Sequence, residues 1–540
     1  MLRLLALGLS LAILTAASAE EAAPLPIQPG AQPGAAPLSQ TAALGRRIFF
    51  DPTLSASGKL SCASCHDPAN AYAVPPSSAV VMRGGAKGDR AGLRTVPSLR
   101  YLTDTPRFAR HTYVDAGRER EDIGPAGGFM LDGRADNLRA QVLEPLLDPA
   151  EMGNTNITAV AGRLRRAPYA KELDALAHAA VTRAQPVEQS AALAGTASPA
   201  GQAATLESAT LVEAATAAVE RFETEDPSFH PYSSRFDRFL RGTATLTPDE
   251  SAGFRLFSNP NKGNCIACHT AISGPGGQPP VFTDHSYHAL GVPRNPAIAA
   301  NSNPQFFDMG LCGPKRADLK DEHQYCGYFK TPSLRNVARR RFFFHNGRFT
   351  TLEDVMHFYV ERDIDPRRWY PANHGRVVKF DDLPARYRGN INISDAPLNR
   401  ERGQQPALNE EEIRQVIAFL GTLSDADQEA GLLSAGLHVD PFQVGARPRH
   451  YRESENLRIL IRVCHPDKGL DGLVVGAPGL DHEPYFLGGL DHTLPAVSTD
   501  DVARLHAGGQ LLFDQHLRQL RSLLRIGTGR NDDDIVFYIH

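Results

Sequence analysis

The pentapeptide Cys-x-x-Cys-His occurs twice, at Cys62-Ala63-Ser64-Cys65-His66 and at Cys265-Ile266-Ala267-Cys268-His269. Two thiols at this spacing can add across both vinyl groups of one haem, and the adjoining histidine then supplies the proximal iron ligand. A zinc site would need paired Cys-x-x-Cys motifs at spacings that this chain lacks. The chain is therefore expected to fold around two covalently attached c-type haems. Each haem supplies much of the apolar core for a few short helices.

The two motifs sit inside a longer internal repeat. Gly45-Arg46-Arg47-Ile48-Phe49 precedes the first and Gly253-Phe254-Arg255-Leu256-Phe257 the second. Pro-Ser-Leu-Arg follows each, at Pro97–Arg100 and Pro332–Arg335. Then come Asp132-Gly133-Arg134 with Leu138, and Asn346-Gly347-Arg348 with Leu352. Four matches kept in order imply two homologous domains. With 540 residues the chain exceeds the roughly 250–300 that one core supports.

The expected fold is mainly α. It comprises two tandem cytochrome c-like haem domains, residues 39–235 and 236–427, with long ordered loops and a C-terminal extension, 428–540. Thr247, Pro248 and Glu250 form a helix start with a capping box, and Asn409 with Glu412 forms another. Residues 186–210, rich in Ala, Ser and Gln, read as a surface insertion, with a helix open over Leu206–Ala218. Residues 276–328 read as a loop region pinned by a Cys312–Cys326 disulfide. An amphipathic helix fits 498–525.

Arg3, the apolar run Leu4–Leu14 and Ala17-Ser18-Ala19 read as an export signal over residues 1–19. A disordered Ala- and Pro-rich leader follows over 20–38. No run is long enough to span a membrane, so a periplasmic location is expected. The net charge of -4 gives no basic field for nucleic acid. Of seven cysteines, four lie in the motifs, two form the expected disulfide and Cys464 is left over.

The repeat also permits a comparison of the two irons. Tyr359 lies seven residues after Leu352, whereas Pro145 lies seven after Leu138 and cannot ligate iron. Haem one would then be five-coordinate and haem two six-coordinate. Spacing leaves Met356, His357 and Tyr359 all open as the second distal ligand.

The segments Ser61–Pro68, Asp132–Ala135, Phe329–Val337 and His345–Gly347 resemble the bacterial dihaem cytochrome c peroxidase family, including its MauG-like branch, over residues 40–427. The resemblance implies that Glu151 is the catalytic acid–base, that Gln141 orients the substrate and that Tyr359 ligates the second iron. It implies hydrogen peroxide as substrate and a small c-type cytochrome or cupredoxin as electron donor. A MauG-like oxidase acting on a partner protein and a non-enzymatic dihaem electron carrier are the alternatives.

Several positions depart from the family. The chain has no histidine between His66 and His111 to serve as a displaceable ligand at haem one. Leu131 stands where a Trp often lies between the haems, and Gly263 stands where partner-oxidising members carry a Trp. The positions implied for an interdomain calcium are Thr95, Arg340 and Phe342, and the cationic Arg340 argues against the ion.

Overall fold

The computed structural model describes residues 37–116, 119–183, 199–274, 276–427, 460–463, 473–476, 526–531 and 534–539. The expected export signal, the leader up to residue 36, Cys464 and the helix expected over 498–525 lie outside them. The chain divides into two compact units, Met1–Arg110 with Gly124–His438 and His111–Ile123 with Val439–His540.

The first unit holds both motifs and is helix-rich with few, short strands. Its helices are α1 (Gln40–Phe49), α2 (Leu138–Leu147), α3 (Ile157–Leu164), α4 (Ala170–Arg183), α5 (Pro199–Glu225), α6 (Arg235–Leu240), α7 (Pro248–Ser258), α8 (Leu352–Glu361) and α9 (Glu410–Gly421). The capping boxes at Thr247–Glu250 and Asn409–Glu412 start α7 and α9. Among the described residues no helix is long and apolar enough to cross a membrane.

The repeat in the sequence is a repeat in space. α1 crosses α5 at Gly45, where an added Cβ would lie 1.8 Å from the Ala218 carbonyl oxygen. α7 crosses α9 at Gly253, where a Cβ would lie 1.9 Å from the Gln415 carbonyl oxygen. Four residues on from each glycine, Phe49 meets Phe222 with ring centroids 5.5 Å apart, and Phe257 meets Phe419 at 5.2 Å. Only glycine permits helix backbones to approach this closely.

The later repeat segments agree as well. Ser98 donates to the Ala71 carbonyl at 2.6 Å, and Ser333 donates to the Val281 carbonyl at 2.6 Å. Phe129 bridges Ala135 and Phe343 bridges Phe349 around turns whose glycines, Gly133 and Gly347, have φ of +63° and +61°. α2 and α8 then begin at Leu138 and Leu352, capped by Asn137 and Thr351.

The two larger apolar cores among the described residues follow the repeat. One gathers Phe49, Leu164, Leu173, Phe222 and Phe229, and the other Phe254, Phe257, Phe282, Phe358 and Phe419. Buried ion pairs tie the halves together: Arg94 bonds Asp132 and Asp308, each at 2.7 Å, and Arg100 bonds Asp425 at 3.0 Å.

The expected surface insertion at 186–210 is corrected in part, because α5 already begins at Pro199. Its buried face, Leu211, Ala215, Ala218, Val219 and Phe222, recurs at helical spacing. Alanine favours the helix but weakens the hydrophobic contrast that would reveal it. The loop region over 276–328 is ordered around a Cys312–Cys326 disulfide. Arg294 also closes part of it by donating to the carbonyls of Asn303 and Phe306 at 2.9 and 2.7 Å.

In the second unit, Leu460–Val463 pairs antiparallel with Leu473–Gly476, and Ile526–Asn531 pairs with Asp534–Ile539.

Candidate functional site

Each motif folds as a single tight turn that turns its side chains one way. Cys62–Ser64 and Cys265–Ala267 form short 3-10 helices, and the amides of His66 and His269 donate to the carbonyls of Cys62 and Cys265 at 2.9 and 2.8 Å. His66 Nδ1 lies 3.0 Å from the Tyr72 carbonyl, and His269 Nδ1 lies 3.0 Å from the Phe282 carbonyl. A carbonyl can only accept, so Nδ1 carries the proton and Nε2 keeps its lone pair for a metal. Desolvation lowers His66 to about 4 and lowers His269, which keeps both imidazoles neutral at physiological pH. It also raises the thiols of Cys62, Cys265 and Cys268 to about 12 and that of Cys65 to about 11.

The second motif opens on a largely apolar cavity, with Cys265, Cys268, His269, Met356, Tyr359 and Leu420 in its wall. Paired thiols, a neutral imidazole and an oxygen or sulfur donor around one apolar cavity fit a covalently held haem. Met356 and Tyr359 both reach this wall. His357, the third candidate, instead lies between Glu361, 3.3 Å from Nδ1, and Glu410, 3.5 Å from Nε2. Burial and the neighbouring thiols push the Tyr359 phenol above its ordinary value. A metal cation at that oxygen would reverse the shift.

Residues of α2 and α8 correspond one to one from Leu138 and Leu352 onward. Val142, Leu143 and Pro145 therefore stand where α8 carries Met356, His357 and Tyr359. None of the three can ligate iron. Gln141 stands at the place of Val355, which lines the second cavity. Gln141 is buried and its Oε1 has no hydrogen-bond partner among the protein's own groups, an unmet acceptor that a bound polar molecule would satisfy.

Glu151 sits in the loop after α2, where its carbonyl accepts from Gly85 at 2.7 Å and its amide donates to Asp148 at 3.1 Å. Its charge contributes to raising the Cys65 thiol of the first motif. Burial, then the Asp148 charge, raises Glu151 to about 7. A carboxyl there can both accept and release a proton at neutral pH.

Thr95 Oγ1 donates to the Phe344 carbonyl at 3.1 Å, and Phe342 is buried. The half-buried guanidinium of Arg340 lies 3.4 Å from the Val96 carbonyl, with its pKa lowered to about 10 by burial. Trp369 packs in the second core against Phe349 and Phe358. At Gly263 a Cβ would lie 2.8 Å from the Leu256 carbonyl oxygen and 3.2 Å from Cys265 Sγ, so a side chain there would require the backbone to shift.

One residue at the first site escaped sequence reasoning. Glu223 on α5 is buried, its charge helps to raise the Cys62 thiol, and its Oε2 has no hydrogen-bond partner. Aligning the last helix of each half would have set Phe222-Glu223 against Phe419-Leu420 and flagged the acid.

The profile of the di-haem cytochrome c peroxidase family matches residues 39–245. The methylamine utilization protein MauG of Paracoccus denitrificans is 31% identical over 400 residues, which cover 72% of this chain and 89% of that protein. The cytochrome c551 peroxidase of Nitrosomonas europaea is 23% identical, covering 77% of this chain and 90% of that one. Among solved structures, the diheme peroxidase BthA of Burkholderia thailandensis superposes with a TM-score of 0.60 at 38% identity. That match covers 73% of this chain and 88% of BthA.

Proposed function

The chain belongs to the di-haem cytochrome c peroxidase family, whose MauG and peroxidase members are dihaem enzymes, and from that premise we propose an exported c-type oxidoreductase that reduces hydrogen peroxide. Residues 39–235 form the peroxidatic haem domain and 236–427 the electron-transfer haem domain. A small c-type cytochrome or cupredoxin supplies the electrons. What supports this reading is the contrast between Pro145 and Tyr359 at equivalent places of the repeat, with Gln141 buried on α2 and Glu151 in the loop that follows it.

When bound, the haems supply the redox chemistry for splitting the peroxide O–O bond. Cys62 and Cys65 would hold the first through thioethers, with His66 Nε2 as an iron donor. Cys265, Cys268 and His269 would hold the second, with Tyr359 Oη as a further donor from the same cavity wall. The Gln141 amide orients peroxide from its buried position. Glu151 takes a proton from one peroxide oxygen and returns it to the departing one. Two electrons and two further protons complete the conversion to two waters.

We assign no calcium, because the Arg340 guanidinium already brings a positive charge to that place. The export signal over residues 1–19 and the Cys312–Cys326 disulfide support a periplasmic location. Tyr359 also supports the second reading, a MauG-like oxidase of a partner protein. The crowding at Gly263 weighs against that reading.

The test is turnover of the purified holoprotein with hydrogen peroxide and a reduced small cytochrome as electron donor. Oxidation of two donor molecules per peroxide is expected. A holoprotein that leaves peroxide unreacted contradicts the proposal.

A further inference from the structure

The structure holds a buried acid that the peroxide chemistry does not use. Glu223 is 4% exposed on α5, and its Oε2 has no hydrogen-bond partner. The glycine crossings fix its counterpart in the second half. Gly45 meets Ala218 as Gly253 meets Gln415, and Phe49 meets Phe222 as Phe257 meets Phe419. The next residue after each phenylalanine is Glu223 in α5 and Leu420 in α9. Leu420 lines the second cavity together with Cys265 and His269. Glu223 correspondingly follows Phe222, a member of the core against which Cys62 of the first motif packs, and its charge helps to raise that thiol.

The repeat thus sets a buried carboxyl in the first half where the second half has a leucine on its cavity wall. We propose that Glu223 forms part of the wall of the first haem pocket and takes up one proton from solvent when one electron enters that haem, releasing it on reoxidation. This rests on reading the first site as a haem pocket. The electron comes from the one-electron donor protein, and the carboxylate becomes a carboxylic acid. The net charge of the pocket is then unchanged. A buried carboxylate is stabilised by the extra positive charge of the oxidised iron and loses that support on reduction.

Several cations on the elements around Glu223 are held by other acids, Arg221 on its own helix by Glu225. Glu220, one turn earlier, repels it but is paired with Arg139 of α2 at 2.9 Å. Arg47 of α1 pairs with Glu172 of α4, and Arg165 after α3 lies 3.8 Å from Glu207 of α5. Tyr169 donates to Asp51 at 2.6 Å. Cys62 is neutral both as a thiol and as a thioether. Burial, with the Glu220 charge second, raises Glu223 to about 8, which puts the exchange within reach of ordinary pH.

The test is a spectroelectrochemical titration of the dihaem holoprotein from pH 6 to 10, following each haem by its own absorbance. Over part of that range the midpoint of haem one should fall with rising pH. The slope should approach one proton per electron, where a tenfold change in proton concentration converts to about 59 mV. Haem two should lack this dependence. Glu223→Gln and Glu223→Leu should each abolish it, and Glu151→Gln, which removes another raised carboxyl, should retain it. Glu223→Leu copies the residue of the second half and decides the matter if the glutamine variant does not fold. A slope that survives both Glu223 variants, that disappears in Glu151→Gln, or that is absent from the wild type overturns the proposal. Loss of haem from both variants would do so too, by making Glu223 a structural requirement. A protein that carries one haem, or ignores peroxide, refutes the peroxidase reading and does so independently of any slope.

Discussion

Pro145 and Tyr359 stand at the same point of two matching helices, each seven residues beyond the leucine that begins its helix. Tyr359 faces the cavity of the second motif, whereas a proline at its counterpart has no donor atom to offer. The same register sets Val142 against Met356 and Leu143 against His357. The asymmetry between the sites therefore does not depend on which of the three α8 candidates ligates the second iron.

Tyr359→Phe should remove or strongly perturb the low-spin ferric signal of the second haem, and Met356→Leu should leave it in place. Electron paramagnetic resonance of the two purified variants checks this. A signal abolished by Met356→Leu alone would make the second haem methionine-ligated, with a higher potential than a tyrosinate allows.

Glu151→Gln should slow peroxide reduction by about 10²–10⁴-fold while leaving the resting absorption spectrum nearly unchanged. The wild-type rate with peroxide should rise with pH through about 7, the value to which burial raises this carboxyl, because only the ionised form accepts a proton. Stopped-flow measurements across that range should find the inflection missing in the variant. The sign for stability is opposite. Folded Glu151 ionises at higher pH than in the unfolded chain, so its contribution is most favourable at low pH and declines as pH rises from the unfolded value through about 7.

Gly45→Ala and Gly253→Ala should each destabilise the fold by about 1–3 kcal/mol, the usual range for overpacking. The added methyl would lie 1.8 Å from the Ala218 carbonyl oxygen in one case and 1.9 Å from that of Gln415 in the other. Thermal unfolding of the holoprotein measures the loss. Unchanged midpoints would show that these glycines are not the tight crossing points of the two halves.

Mass spectrometry of exported, matured protein should show two haem additions per chain. Cys265→Ala should impair the second attachment and spare the first. A single addition in the mature wild type would break the argument from the paired motifs.

The sequence made the repeat legible because its signals are local and chemically specific. Cys-x-x-Cys-His, the turn glycines Gly133 and Gly347, and the caps at Thr247 and Asn409 each demand particular residue types within a few positions. α5 was harder to see. Its start at Pro199 lies in an alanine-rich stretch whose packing partners, α1 in particular, are about 150 residues away. Burial was legible for the apolar residues but not for Glu223, since a lone glutamate on a helix ordinarily faces solvent. Nor could spacing choose among Met356, His357 and Tyr359. The structure takes His357 off the cavity wall by setting it between Glu361 and Glu410.

The most direct test of the account is the electron paramagnetic resonance spectrum of the resting ferric holoprotein, recorded before and after stoichiometric hydrogen peroxide. The account expects one high-spin haem and one low-spin haem in equal amounts, with both signals changing after peroxide. Two low-spin haems, unaltered by peroxide, would mean that neither site is open, and the central claim would fail.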